Sequence, residues 1–221
     1  MSASQEVPLR QTRERDLVVA TRALFDERGM QEAPIEEIAR SVGIARGLVY
    51  RHFSSKEELF VLTVTDYLRE LGEAMEDAVA GESKPRPRLE QLTEAFARYC
   101  QRYPAFLDCS LALMRRPARE LRESVSESVW LRLGTGMGRC IGALSAVLHA
   151  GRDDGSFDVS DPDYTANILW TQGLGMMHLA RIRVGLRDSP AGVPELFTVH
   201  AESVVESCVF SALAVAGASR P

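Results

Sequence analysis

An all-α fold is predicted by three observations. Apolar residues recur at i, i+3 and i+4 along most of the 221 residues, no stretch alternates apolar and polar side chains as a half-buried strand does, and the periodic segments are separated by Gly/Pro-rich loops at 81–87, 151–155 and 185–194. The spacing predicts about nine helices. A hydrophobic fraction of 45% with 26% charged residues is that of a globular chain with one or two packed cores and excludes disorder.

The first helix is predicted over residues 13–28. Leu17, Ala20, Leu24 and Phe25 lie at helical spacing, Val18 and Thr21 flank them, and Gly29 is a C-terminal stop. The arm before it holds Arg10, Arg13 and Arg15, diluted by Glu14 and Asp16, and reads as a frayed tail rather than a groove reader. Helix two begins near Pro34, whose missing N–H suits a first helical position, with Glu36 and Glu37 at the positive end of the dipole and Ile35, Ile38 and Ala39 on one buried face. Gly43 permits a short turn, so helix three follows over residues 45–51. In it Leu48 and Val49 can anchor inward while Arg46, Gly47, Tyr50 and Arg51 face out. From Ile38 to Lys56 there is no acidic residue, whereas Arg40, Arg46, Arg51 and Lys56 are cationic and His52 can become so, on a chain of formal net charge -5. Such a positive island is the footprint of phosphate contact; the plainer alternative is a solvated face on two packed amphipathic helices. A fourth helix starts near Ser54, capped by Ser54 or Ser55 with Glu57 or Glu58 three residues on, and runs to about Ala80.

Ile38-Ala39 with Val42-Gly43-Ile44, then Gly47, Tyr50, His52-Phe53 and the run Ser55 to Phe60, resembles the DNA-binding domain of the TetR family of bacterial transcriptional regulators over about residues 13–62. The resemblance implies a three-helix head at residues 1–60 and a helical effector-binding and dimerisation domain at 61–221. It makes Tyr50, His52 and Lys56 phosphate contacts and Gly47 a point of close backbone approach to DNA, and leaves Arg46, Leu48 and Arg51 to reach base edges. Ala33-Pro34 and Ala45 depart from the family pattern, in which hydroxyl residues commonly stand at these places.

In the C-terminal half, Leu89, Leu92, Ala95, Phe96 and Tyr99 share a helical face, Pro104 punctuates, Phe106 to Met114 form the next helix, and one long segment spans about 118–150. Two more helices are predicted at 161–184 and 194–216. Gly134, Gly138, Gly142 and Ala146 make a bare stripe on the long segment beside Leu133, Met137, Ile141, Leu144 and Leu148. Close helix packing and room for a ligand both account for it. Phe96, Tyr99, Tyr103, Trp130, Met137, Trp170, Met177 and His178 are the candidate walls of a pocket for a hydrophobic effector, although an aromatic and Met-rich core reads the same way. The family resemblance implies a homodimer through the last two helices, for which Leu196, Val199, Ser203, Val204, Cys208, Ala212 and Val215 offer a small-residue apolar face.

Enzyme motifs are absent: there is no Gly-x-Ser-x-Gly, no Gly-x-x-x-x-Gly-Lys and no His-Glu-x-x-His, and Ile141 interrupts any Gly-x-Gly-x-x-Gly reading. Cys100, Cys109, Cys140 and Cys208 lack metal-ligand spacing, so buried free thiols and no cofactor are expected. No run of about 18 apolar residues and no signal segment is present, which predicts a cytoplasmic protein without a membrane span. The expectation is a dimeric repressor released from a palindromic DNA operator by a small, largely apolar effector. The alternative is a helical interaction protein on the same fold that binds no operator.

Overall fold

The structure, a computed structural model, describes residues 3–29, 34–189 and 192–218, with side chains in the first helix from residue 12 onward. Ala33 and the side chain of Arg10, both named above, lie outside the described residues. Among the described residues there are ten helices: α1 Ala3–Arg28, α2 Ile35–Ser41, α3 Arg46–His52, α4 Lys56–Ala78, α5 Pro85–Arg102, α6 Pro104–Met114, α7 Ala118–Ser124, α8 Glu127–Asp153, α9 Pro162–Ile182 and α10 Ala201–Val215. Two short strands, β1 Val184–Arg187 and β2 Glu195–Thr198, stand between α9 and α10.

Four features differ from the sequence expectation. The arm read as a frayed tail continues α1 back to Ala3. Pro85 opens α5, so the preceding loop is shorter than predicted. The long segment at 118–150 is two helices, because Val125 is extended (φ -131°, ψ 159°) and the Ser126 N–H is taken by the Glu58 carboxylate before α8 begins. The loop at 185–194 contains an antiparallel hairpin, pairing Val184 with Thr198 and Leu186 with Leu196 and closed by an Arg187–Glu195 ion pair at 3.0 Å. Its strands are four residues each and bury no face, so no alternation marks them. The last helix accordingly starts at Ala201, and Leu196 and Val199 precede it.

The chain divides into two compact units, residues 1–69 with 108–137 and residues 70–107 with 138–221. In the first, α1, α2 and α3 enclose Leu17, Phe25, Ile38, Val49 and Phe53. The first half of α4 is tied to α1 by Arg22, which bonds Asp66 at 2.8 Å and lies 4.3 Å over the Tyr67 ring, and by the Tyr67 hydroxyl, which donates to Asp26 at 2.6 Å. Burial, and then the bond to Asp26, push the Tyr67 phenol well above its ordinary value. On α8, Arg132 reaches Glu14 of α1 at 2.5 Å.

In the second unit α5, α9 and α10 pack on one another around Leu92, Phe96, Leu174, Met177, Val205 and Cys208. Gly173 is required there: a Cβ would stand 2.8 Å from the Phe96 ring, so only glycine lets that ring lie against α9. The glycine stripe behaves differently, since a Cβ added at Gly134, Gly138 or Gly142 meets no atom within 4 Å. Within this chain the stripe serves neither of the two expected purposes; it is exposed. All four cysteines are free and buried, and burial pushes Cys208 up to about 11 and Cys109 and Cys140 up to about 12. No helix among the described residues is long and apolar enough to cross a membrane.

Candidate nucleic-acid interface

The presentation of α3 begins with the turn that precedes it. Gly43 has φ +69°, its N–H bonds the Arg40 carbonyl at 3.1 Å, and the Ile44 N–H bonds the Ala39 carbonyl at 3.0 Å. This pair of bonds is a Schellman motif, which satisfies the last carbonyls of α2 and needs a residue without a Cβ penalty at the left-handed position. The chain then re-enters a helix at Arg46 behind the extended Ala45, whose methyl supplies no cap.

One residue holds α3 to the head. Val49 is 1% exposed, while Leu48 is 38% and Tyr50 45% exposed, so Leu48 faces outward with Arg46, Gly47 and Arg51 and only Val49 anchors inward. A Cβ on Gly47 meets nothing within 4 Å, which leaves the backbone open to a partner's approach. Arg46 lies 6.0 Å over the Tyr50 ring and is paired with Glu36 of α2 at 2.6 Å. The acid-free run therefore has an acid at its edge in space, and Glu36 partly neutralises Arg46. Among the described residues, Arg51 and Lys56 have no ion-pair partner. Both are exposed. His52 is half-buried, and its Nδ1 is buried without a hydrogen-bond partner, so that atom is withheld from the exposed face.

The start of α4 is secured by an acid the sequence offered only as one of two capping partners. Ser55 Oγ accepts the Glu58 N–H at 3.1 Å, and Glu58 Oε2 accepts the Ser54 N–H at 2.6 Å, completing a capping box one residue wider than the usual reciprocal pair. The other carboxylate oxygen accepts the Ser126 N–H at 3.2 Å and the Ser126 hydroxyl, while Ser55 Oγ donates to the Ser124 carbonyl at 3.2 Å. Glu58 is 5% exposed. Burial pushes its carboxyl up, but the bonds from Ser126 and Ser54 together outweigh burial and hold it below its ordinary value of 4.5. The segment just after α3 is thus fastened to the α7–α8 corner. Sequence reading did not find the Ser126 partner, which lies 68 residues away. It also missed the Arg22–Asp66 link and the Tyr67–Asp26 bond, for which the Arg22/Asp26 spacing of four was the available signal.

The candidate effector residues are divided. Phe96, Tyr99, Tyr103, Trp170, Met177 and His178 belong to the second unit, and Trp130 and Met137 to the first. Phe96 and Trp170 pack as tilted rings 5.3 Å apart, Tyr99 meets Tyr103 at 4.8 Å and Phe106 at 5.3 Å, and Met177 is buried. The space left beside Phe96 and Trp170 is about 20 Å³, room for little more than one water. His178 is exposed. Of the apolar face expected on the last helix, Val204, Cys208 and Ala212 are turned inward against α5 and α9, whereas Ser203 and Val215 face out.

A three-helix head with a short glycine turn and an exposed cationic third helix defines the helix-turn-helix class. The family profile "Bacterial regulatory proteins, tetR family" matches residues 17–62. The HTH-type transcriptional regulator BetI of Yersinia pestis (strain Pestoides F) is 35% identical over 91 residues, 40% of this chain and 46% of that protein. The HTH-type transcriptional activator FasR of Mycolicibacterium smegmatis is 32% identical over 87 residues, 39% of this chain and 40% of FasR. This chain thus matches about half, or less, of the length of these curated relatives. Over nearly the whole chain the fold is shared with a solved tetR-family regulatory protein from Rhodococcus, with TM-score 0.67, 17% identity and coverage of 94% of this chain and 98% of that one. Residues 17–62 thus carry the tetR-family match, and the fold over nearly the whole chain is the one seen in that solved tetR-family protein.

Proposed function

We propose that this protein is a dimeric, ligand-responsive, DNA-binding transcriptional regulator that reads an operator with α3. The observation carrying this reading is the outward face of α3, where Arg46, Gly47, Leu48, Tyr50 and Arg51 are exposed together beside Lys56 and no acid occurs between Ile38 and Lys56. Arg46 and Arg51 have the donor geometry for guanine edges and Leu48 suits a thymine methyl. Tyr50, His52 and Lys56 are assigned to phosphates, His52 through an atom other than its buried Nδ1. Residues 1–60 serve as the reading domain and 61–221 as the effector and dimerisation domain, acting in the cytoplasm without catalysis.

Dimerisation is assigned to the outward faces of α9 and α10. Tyr164, Ile168, Leu179 and Ile182 lie exposed along α9, and Phe210 is exposed on α10. Ser203, Ser207 and Ala214 extend the α10 face with small side chains that allow close approach. A two-fold pair presents two copies of α3 to major grooves about 34 to 36 Å apart, which calls for a near-palindromic operator. The effector, small and largely apolar, releases the operator, making the protein a repressor. FasR is named an activator, and placement of the operator relative to a promoter decides between the two roles.

The test is selection of bound duplexes from a random DNA pool at fixed near-physiological salt, followed by sequencing. Enrichment of a palindrome supports the reading. A folded protein that enriches no motif refutes it and leaves the interaction-protein alternative in its place.

A further inference from the structure

We propose that a cavity in the second unit, bordered by α5, α6, α9 and α10, binds an amphipathic monoanion, its chain against Met177, Ala180 and Ala201 and its acidic group at Arg181 and Arg183. The proposal rests on the effector-responsive reading and adds a charge to the effector. The cavity measures ≈ 530 Å³, within the range of small-molecule sites. It is far roomier than the space beside Phe96 and Trp170.

Three sources of positive potential meet there. Arg181 and Arg183 both line the cavity. Ala201, also on its wall, is the first residue of α10, whose N-cap His200 contributes no side-chain bond, so the helix opens on the cavity with its positive end. No acid lines the cavity among the described residues. The adjoining Glu202 is held by Arg98 at 2.5 and 2.6 Å. Pro104, Met177, Ala180 and Ala201 supply the apolar wall and Gln101 a further polar group.

The backbone adds an independent observation. Arg183 has φ 55° and ψ 20°, and among the described residues it alone adopts a positive φ without being glycine. Glycine ordinarily ends a helix in this conformation. Here the conformation is fixed on both sides: the Arg183 N–H bonds the Leu179 carbonyl at 3.0 Å, and its carbonyl accepts the Val199 N–H at 3.0 Å. An arginine is thus kept, against backbone preference, at a position that lines the cavity.

The probe pair is decanoate and 1-decanol, of equal chain length and different charge, titrated calorimetrically into the full chain without DNA. Decanoate is expected to saturate and to bind about tenfold or more tighter than decanol, as the loss of charge-assisted bonds implies. The double variant Arg181→Gln/Arg183→Gln should reduce decanoate affinity about tenfold or more and erase the difference between the probes. Arg183→Gly keeps the left-handed backbone and removes the charge, so it should weaken decanoate while leaving the melting temperature unchanged or raised. Absence of saturable decanoate binding, equal affinity for both probes, or unchanged binding by the double variant each overturns the proposal. The last outcome would move the ligand elsewhere, for example to the cavity of ≈ 400 Å³ in the first unit lined by Phe25, Ile35, Leu59, Lys56 and Arg116. Because the titration needs no operator, a failed site and a failed regulator reading are told apart by comparison with the DNA selection.

Discussion

Removal of the Glu58 carboxylate is the most informative perturbation of the head. Glu58 accepts from the Ser54 N–H, the Ser126 N–H and the Ser126 hydroxyl, with backbone bonds of 2.6 and 3.2 Å, at a side chain 5% exposed. Hydrogen bonds to a charged acceptor contribute about 1.5 to 3 kcal/mol each. Ser54 and Ser126 are themselves exposed, so water replaces part of what is lost. Glu58→Ala should therefore cost about 2 to 4 kcal/mol, a drop of roughly 5 to 15 °C in melting temperature for a chain of this size. Glu58→Gln keeps one acceptor oxygen but turns an NH₂ toward a donor, and should fall between. The assay is thermal denaturation at neutral pH followed by circular dichroism. The pH dependence has a definite sign: a carboxyl held below 4.5 in the folded protein contributes stability that is full above that value and is lost as pH falls through the lower folded value. The melting gap between the native protein and Glu58→Gln should narrow as the pH is lowered through that range. A melting temperature for Glu58→Ala within about 1 °C of the native protein, in a method where 1 kcal/mol moves roughly 2 to 4 °C, would refute the fastening role.

Other predictions concern DNA, assembly and packing. Lys56→Ala should weaken binding to specific and random duplexes alike and reduce the salt slope by about 1, whereas Arg51→Ala should cost about 1 to 3 kcal/mol on the operator and relax preference at particular base pairs; fluorescence anisotropy across a salt series separates them. Glu36→Gln releases Arg46 from a 2.6 Å pair exposed on both sides, and should tighten DNA binding by at most about fivefold in the same assay. Phe210→Glu places a charge at a phenylalanine 65% exposed on the proposed dimer face, and sedimentation should report a shift from dimer to monomer. At Gly138 an added Cβ meets no atom within 4 Å, so Gly138→Ala in this helix interior should be tolerated and raise stability by roughly 0.5 to 1 kcal/mol in denaturant titration.

What could be read from the chain alone was whatever depends on neighbours within a turn or two. The α2–α3 turn at Gly43, the capping role of Ser55 and Glu58, the inward Ile35, Ile38 and Ala39, and the outward cations of α3 are local, because helical spacing and left-handed glycine are set by nearby backbone. Spacing states which side chains share a face but not what that face meets. The structure therefore decided that Val204, Cys208 and Ala212 turn toward α5 and α9, that Glu36 pairs with Arg46, that Glu58 captures Ser126 and breaks the long helix, and that exposed strands pair at residues 184–198. It also decided where space remains, leaving little beside Phe96 and Trp170 and a roomy cavity at Arg181 and Arg183. Each of these depends on residues brought together from distant parts of the chain, where close packing and hydrogen-bond satisfaction, rather than periodicity, choose the partner.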